Sequence, residues 1–231
     1  MGETPIVEFD SHRKAIIEPS TIKGCELPER CVIPFYDSVI KKLEQDGTLE
    51  KVHEITSVLA SQEIYRLKHD NQNLTIVCPT GCGAPLAGGL LEELIALGCH
   101  KFVACGSAGV LKPELCRGTV VVANAAVRDE GTSYHYMPPS RTVEADPIVV
   151  QKLVKVLEKN DINYEVGKTW STDAFYRETK GKIAKRKEEG CLTVEMECSA
   201  LIAIVEIPQR NAWTVLIGWR RRGRNSMESK A

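Results

Sequence analysis

The sequence predicts an α/β fold, a single domain whose helices flank a mixed or parallel central sheet. Three observations carry this. Short β-rich apolar runs end in glycine-rich turns, stretches of helical spacing follow those turns, and no internal repeat or low-complexity linker divides the chain. Residues 74–78 (LTIVC) form the first such run and lead into a Gly/Pro turn at 79–85 (PTGCGAP). Residues 86–97 then place Leu86, Leu90, Leu91, Leu94 and Leu97 on one face with Glu92 and Glu93 off it, and Gly98 ends that helix. A second buried strand is expected at 102–105, closed by Gly106-Ser107-Ala108-Gly109. Further on, the pattern gives a strand at 119–123, a helix at 147–159, a strand at 164–169 and a basic helix at 178–189. A short strand at 192–194, a helix at 197–205 and an apolar run at 213–217 complete it.

The 231 residues carry 30 Lys+Arg against 31 Asp+Glu, so the net charge of -1 offers no basic footprint for nucleic acid or anionic lipid. No stretch approaches the roughly 20 apolar residues of a membrane span. The first 14 residues lack the apolar run of a signal peptide. Nine cysteines, an odd number scattered mostly through apolar segments without a C-x-x-C pair, read as reduced buried thiols of a cytoplasmic protein and not as zinc ligands or disulfides.

In α/β sheets, ligands collect where strands end, so the turns after strands hold the candidate sites. The turns 81–85 and 106–109 are glycine-rich, which lets backbone N–H groups approach an anion or polar ligand; tight turns need glycine for steric reasons as well. Neither fits a phosphate signature such as G-x-x-x-x-G-K-[ST] or G-x-G-x-x-G. The third turn holds Glu195 and Glu197 on either side of Met196. On an extended segment residues two apart point to one side, so the two carboxylates are expected to face one space, suited to the 2′ and 3′ hydroxyls of a ribose. A helix start enriched in Glu by the macrodipole would explain Glu197 equally well.

These segments also occur together. TIVCPTGCGAP (75–85), KFVACGSAGVL (101–111), VRDEGTSYHYMPP (127–139), GKTWSTDAFYRET (167–179) and TVEMECSAL (193–201) resemble, in order and spacing, the nucleoside phosphorylase superfamily of purine nucleoside and uridine phosphorylases. VRDEGTSYHYMPP is closer to the uridine branch. The resemblance implies a mixed sheet curled into a partly closed barrel, assembly as homodimers or hexamers, and no metal or organic cofactor. It implies cleavage of a nucleoside N-glycosidic bond by inorganic phosphate, the co-substrate, to a free base and ribose 1-phosphate. Carried over by position, it implies ribose contacts from Glu195, Met196 and Glu197, a phosphate contact from Ser107, and base contacts from Gly109, Phe175 and Arg177. Ala108 lies where the backbone passes the sugar, and Tyr176 accompanies Phe175.

The sequence departs from that pattern on the phosphate side. The family arginine three residues before the phosphate serine falls on Ala104, and alanine cannot replace a bidentate phosphate ligand. The Gly-Asp-Pro-x-Arg turn is absent from the stretch compared with it, 15–24 (AIIEPSTIKG), and a third arginine would fall near Ser61, with Arg66 close by. Water in place of phosphate is therefore an alternative, with Glu18 as its candidate base. The Gln-x-Arg of uridine phosphorylases is also missing; Arg177 stands in its region. Residues 1–218 read as the family domain and 219–231 (WRRRGRNSMESKA) as an atypical basic tail, truncated or divergent, without the family's acidic residue after Gly218. A reading-frame slip out of Gly-Asp-Asp, a natural tail and an alternative gene product each account for it. The loss of that acid leaves a third reading open, a noncatalytic nucleoside-binding member.

Overall fold

The structure, a computed structural model, describes residues 4–12, 14–22, 24, 26–56, 61–69, 72–116 and 118–206, and the backbone of 213–219. Strands β1 (Arg30–Pro34), β2 (Leu49–Thr56), β3 (Ser61–His69), β4 (Gln72–Ile76), β5 (Lys101–Ser107), β6 (Gly109–Val110), β7 (Val120–Asp129), β8 (Thr142–Glu144), β9 (Tyr164–Thr172), β10 (Cys191–Glu195) and β11 (Trp213–Trp219) join one sheet. Five helices accompany it among the described residues: α1 (Asp37–Gln45), α2 (Ala84–Ala96), α3 (Pro147–Lys159), α4 (Lys180–Glu188) and α5 (Cys198–Val205).

The strand order is β2-β3-β4-β1-β5-β11-β7-β9-β10-β6, with β8 on β7. The sheet is mixed, as the sequence predicts. β4, β1, β5 and β11 run parallel, as do β7, β9 and β10, while β11 meets β7 antiparallel. Only Ala108 separates β5 from β6, so one kinked segment bonds β11 through its first part and β10 through its second. The sheet therefore curls back toward the segment it started from. Two residues of β6 make the return, so the curl is partial and the barrel is not closed. Its consequence is positional: Gly109 pairs with Val194, which brings the end of β5 beside the end of β10.

Each helix follows from its residues. α5 (CSALIAIV) is apolar on every side, and all eight residues are buried, packed against α2, β7, β9 and β11. Its neighbour α2 begins at Ala84, two residues earlier than the leucine spacing predicts, because Pro85 sits in the first turn where its missing N–H costs nothing. α3 spans the predicted residues and is capped by Asp146, whose side chain accepts from Ile148 N at 2.7 Å. α4 starts only after Thr179, whose hydroxyl accepts from Lys182 N.

Elements α1, β1, β2, β3, β6 and β8 lie outside the predicted pattern, and β7 and β9 extend past their predicted ends. β7 runs to Asp129 through an irregularity at Ala123/Ala125, and β9 runs to Thr172. Both extensions carry polar residues, which apolar runs cannot signal. No helix of the described residues is long and apolar enough to cross a membrane. The eight described cysteines are free, and no His/Cys/Asp/Glu group among the described residues could hold a metal ion. Strand β11 passes one residue into the stretch read as tail; residues 220–231, and Cys25, lie outside the described residues.

Candidate active site

The candidate site lies where β7, β9 and β10 end and where the β5–β6 kink and the start of α2 reach them. Glu195 is the last residue of β10, and the chain bends at Met196 and Glu197 before α5. Extended backbone stops there, with Glu197 at φ -133° and ψ -30°. The expectation that the two carboxylates share one space therefore fails: they turn apart. The period of two holds only while the strand lasts.

Glu195 turns inward. Its Oε2 accepts from Glu197 N at 2.7 Å and Cys198 N at 2.6 Å, and its Oε1 from Ser171 Oγ at 2.5 Å and Thr169 Oγ1 at 3.4 Å. Burial pushes its carboxyl up to about 7, the Glu197 charge adds to the rise, and these hydrogen bonds oppose it. Glu197 reaches the other way. Its Oε1 accepts from Gly83 N at 2.6 Å, across 114 residues of chain, and its Oε2 from Met196 N at 3.2 Å. Burial raises its carboxyl too, against the pull of those two N–H groups. Gly83 can offer its N–H because its φ of 110° suits glycine and strains any other residue. Half-buried Met196 lies between the two acids.

A buried polar chain supports this turn. Ser171 Oγ accepts from Ser199 N at 2.9 Å, and Ser199 Oγ donates to Glu130 Oε1 at 2.9 Å. Glu130 also accepts from Ser133 N, and Arg128 Nε donates to Ser133 Oγ at 2.9 Å. Arg128 holds Pro138 O and Ser140 Oγ besides, with its guanidinium over the Tyr134 ring at 4.3 Å. The loop after β7 is thereby tied to the first turn of α5. These residues lie inside the motifs given above without an assigned role, because serines, a glutamate and an arginine read as surface until the fold buries them.

Phe175 and Tyr176 stand on the turn after β9, exposed at 48% and 90%, with ring centroids 4.1 Å apart. Arg177 ends that turn. Exposed aromatic faces beside β10 can take a planar base. Ser107, exposed, ends β5, and Gly109 lies next to Val194 in the sheet.

The remaining candidates disperse. Ala104 is fully buried in the core, so its side chain faces away from any ligand. The stretch 15–24 forms no strand-to-helix turn. The first such turn among the described residues is Phe35-Tyr36, between β1 and α1, and it is the one that borders Ser107: Phe35 N donates to Cys105 O, and the Phe35 side chain lies on Gly106, its Cβ 3.3 Å and its ring Cδ2 3.4 Å from where a Cβ would stand. The Glu18 carboxylate accepts from Ala15 N at 2.6 Å, serving its own exposed turn. Ser61 and Arg66 sit on β3, which β4 and β1 separate from β5, and Arg66 pairs with Glu50 at 3.7 Å.

The phosphorylase superfamily profile matches residues 29–205, from the first residue before β1 to the end of α5. The chain belongs to the phosphorylase superfamily. Among its relatives, a guanosine phosphorylase of Halorubrum lacusprofundi is 34% identical over 142 residues, 62% of this chain and 58% of that protein. A uridine phosphorylase of Salmonella typhimurium is 32% identical over 143 residues, 56% of each chain. A purine nucleoside phosphorylase DeoD-type 1 of Shewanella oneidensis is 29% identical over 177 residues, 76% of this chain and 74% of that one. The matched part of this superfamily member spans little more than half the length of the first two. In fold it is similar to the crystal structure of uridine phosphorylase from Vibrio fischeri ES114, with a TM-score of 0.74 at 24% identity over 85% of this chain and 80% of that one.

Proposed function

We propose that this phosphorylase-superfamily chain cleaves the N-glycosidic bond of a nucleoside, with inorganic phosphate as acceptor. The products are a free base and ribose 1-phosphate, which makes it a pentosyltransferase. The observation that carries this reading is Glu197, a buried carboxylate held by Gly83 N and Met196 N with acceptor capacity left for a diol. In the reaction the C1′–N bond breaks with its electron pair going to the base, which takes up a proton. A C1′–O bond to phosphate forms on the opposite face. Glu197 and Met196 hold the sugar while positive charge develops at C1′, Phe175 and Arg177 meet the base, Gly109 lines its approach, and Ser107 donates to phosphate. Positioning and charge stabilisation supply most of the acceleration. The family resemblance supports a homodimer or hexamer, and the cysteine usage supports a place in the cytoplasm.

Hydrolysis is the second reading, and one observation favours it. Among the described residues at the end of β5, 34–37 and 104–109 include no lysine or arginine, and the groups packed there are Phe35 and the Cys105 thiol, which burial pushes up to about 11. A dianion gains little there. Incubation with uridine, guanosine, inosine and adenosine, with and without phosphate, separates the readings. Base release that requires phosphate and yields ribose 1-phosphate is the expected result. Equal release without phosphate overturns phosphorolysis in favour of hydrolysis, and binding without release overturns catalysis.

A further inference from the structure

Three N–H groups at the start of α5 find acceptors outside the helix. Those of Glu197 and Cys198 donate to Glu195 Oε2, and that of Ser199 donates to Ser171 Oγ. The first helical bond, Leu201 N to Glu197 O, comes only after them. Glu197 occupies the N-cap position, where a side-chain oxygen ordinarily accepts from the next turn, yet its carboxylate makes no capping bond. It is turned to Gly83 N instead. Ser171 takes the Ser199 N–H that a Glu197 cap would serve, and Glu195 takes the two N–H groups before it.

Glu195 is suited to that duty and to no other. Three donors, Ser171 Oγ, Glu197 N and Cys198 N, hold its two oxygens inside the turn, and the Thr169 hydroxyl divides its one hydrogen between Thr193 O and Glu195 Oε1, so the carboxylate is committed to the chain around it. It is 7% exposed and stands on the rigid end of a strand flanked by β9. Without it, two buried N–H groups lose their acceptor, and an orphaned buried donor is costly. Glu197, at the N-cap position, carries the adjacent carboxylate in the chain that could turn to this helix start.

We infer that Glu195 is a positioning residue: by satisfying the first N–H groups of α5 it keeps the Glu197 carboxylate out of its own helix cap and presented to the ribose hydroxyls. This rests on the reading of Glu197 as the group that holds the sugar. Two consequences separate it from a direct sugar contact by Glu195. The duty needs an acceptor oxygen and no charge, so an amide can perform it. Its failure acts through the hydroxyl that Glu197 holds, and so through the sugar and not the base.

The test measures kcat/KM, with phosphate present, for uridine against 2′-deoxyuridine and guanosine against 2′-deoxyguanosine, alongside the thermal midpoint of each variant. Glu197→Ala should abolish the preference for the ribose form. Glu195→Ala should reduce that preference by about tenfold, the worth of one charge-assisted hydrogen bond, and Glu195→Gln should restore it. Wild-type preference in Glu195→Ala overturns the inference. So does a Glu195→Gln variant as impaired as the alanine one, since that would make the charge essential. Should Glu195→Ala fail to fold, Ser171→Ala loosens the same cap, and an unchanged preference there overturns the inference as well. A wild type indifferent to the 2′-hydroxyl, or a Glu197→Ala variant that keeps the preference, overturns the sugar-holding reading itself.

Discussion

The β10–α5 turn and the ends of β1 and β5 meet through the β5–β6 kink, and they are built from opposite materials. On one side two buried carboxylates meet backbone N–H groups, and each of their oxygens has an assigned donor. On the other, Phe35 covers Gly106, Ala104 is core, and Ser107 supplies the one exposed hydroxyl of the strand end. On the proposed reading the first side holds the sugar while positive charge develops. The second has a donor for an acceptor molecule but no cation of its own among those residues. On the proposed reading, sugar recognition therefore resides in one short turn and the acceptor contact on the other side.

That contrast can be broken most directly at Glu197. Replacement by alanine should lower kcat/KM for base release by on the order of a thousandfold, about 4 kcal/mol for two charge-assisted hydrogen bonds to the sugar. A loss under tenfold in steady-state assays would place the sugar elsewhere.

The next effect is on stability and comes from Glu195. Its folded carboxyl is raised from 4.5 to about 7, so its contribution is fully present below 4.5 and is lost as pH rises through about 7. Wild type should therefore lose up to about 3 kcal/mol of unfolding free energy, relative to Glu195→Gln, between acid and mildly alkaline pH. Urea unfolding across that range would show parallel curves if the carboxyl titrated normally.

Gly83→Ala should cost about 2 kcal/mol of stability, because alanine at a φ of 110° is strained, and should weaken nucleoside binding through the displaced N–H. Chemical unfolding together with calorimetric titration of a nucleoside would read both. The smallest effect belongs to the acceptor side. Ser107→Ala should raise the phosphate KM by roughly fivefold, about 1 kcal/mol, and move it more than the nucleoside KM. The reverse order would remove Ser107 from the phosphate contact.

Much of the fold was legible because apolar residues announce buried elements. α5 is apolar throughout and α3 carries Pro147 just inside its start, so both were found nearly to the residue. The β2–β3 hairpin was not legible, since half-exposed strands such as LEKVHEIT interrupt their apolar positions with Glu50, Lys51, His53 and Glu54. The strand ends were equally hidden, because Arg128, Asp129 and Ser171 are polar residues that only the surrounding fold buries or pairs.

For the site, the motif VEMECSAL marked the two carboxylates, and local sequence went no further. By itself the sequence determined the residue types at each turn, the near-neutral charge and the missing arginines, since these are facts of composition and order. Only the tertiary structure decided that Glu195 caps α5 while Glu197 faces Gly83. The donors that separate their duties come from β9, α2 and α5, and a chain brings such distant groups together only when the sheet curls.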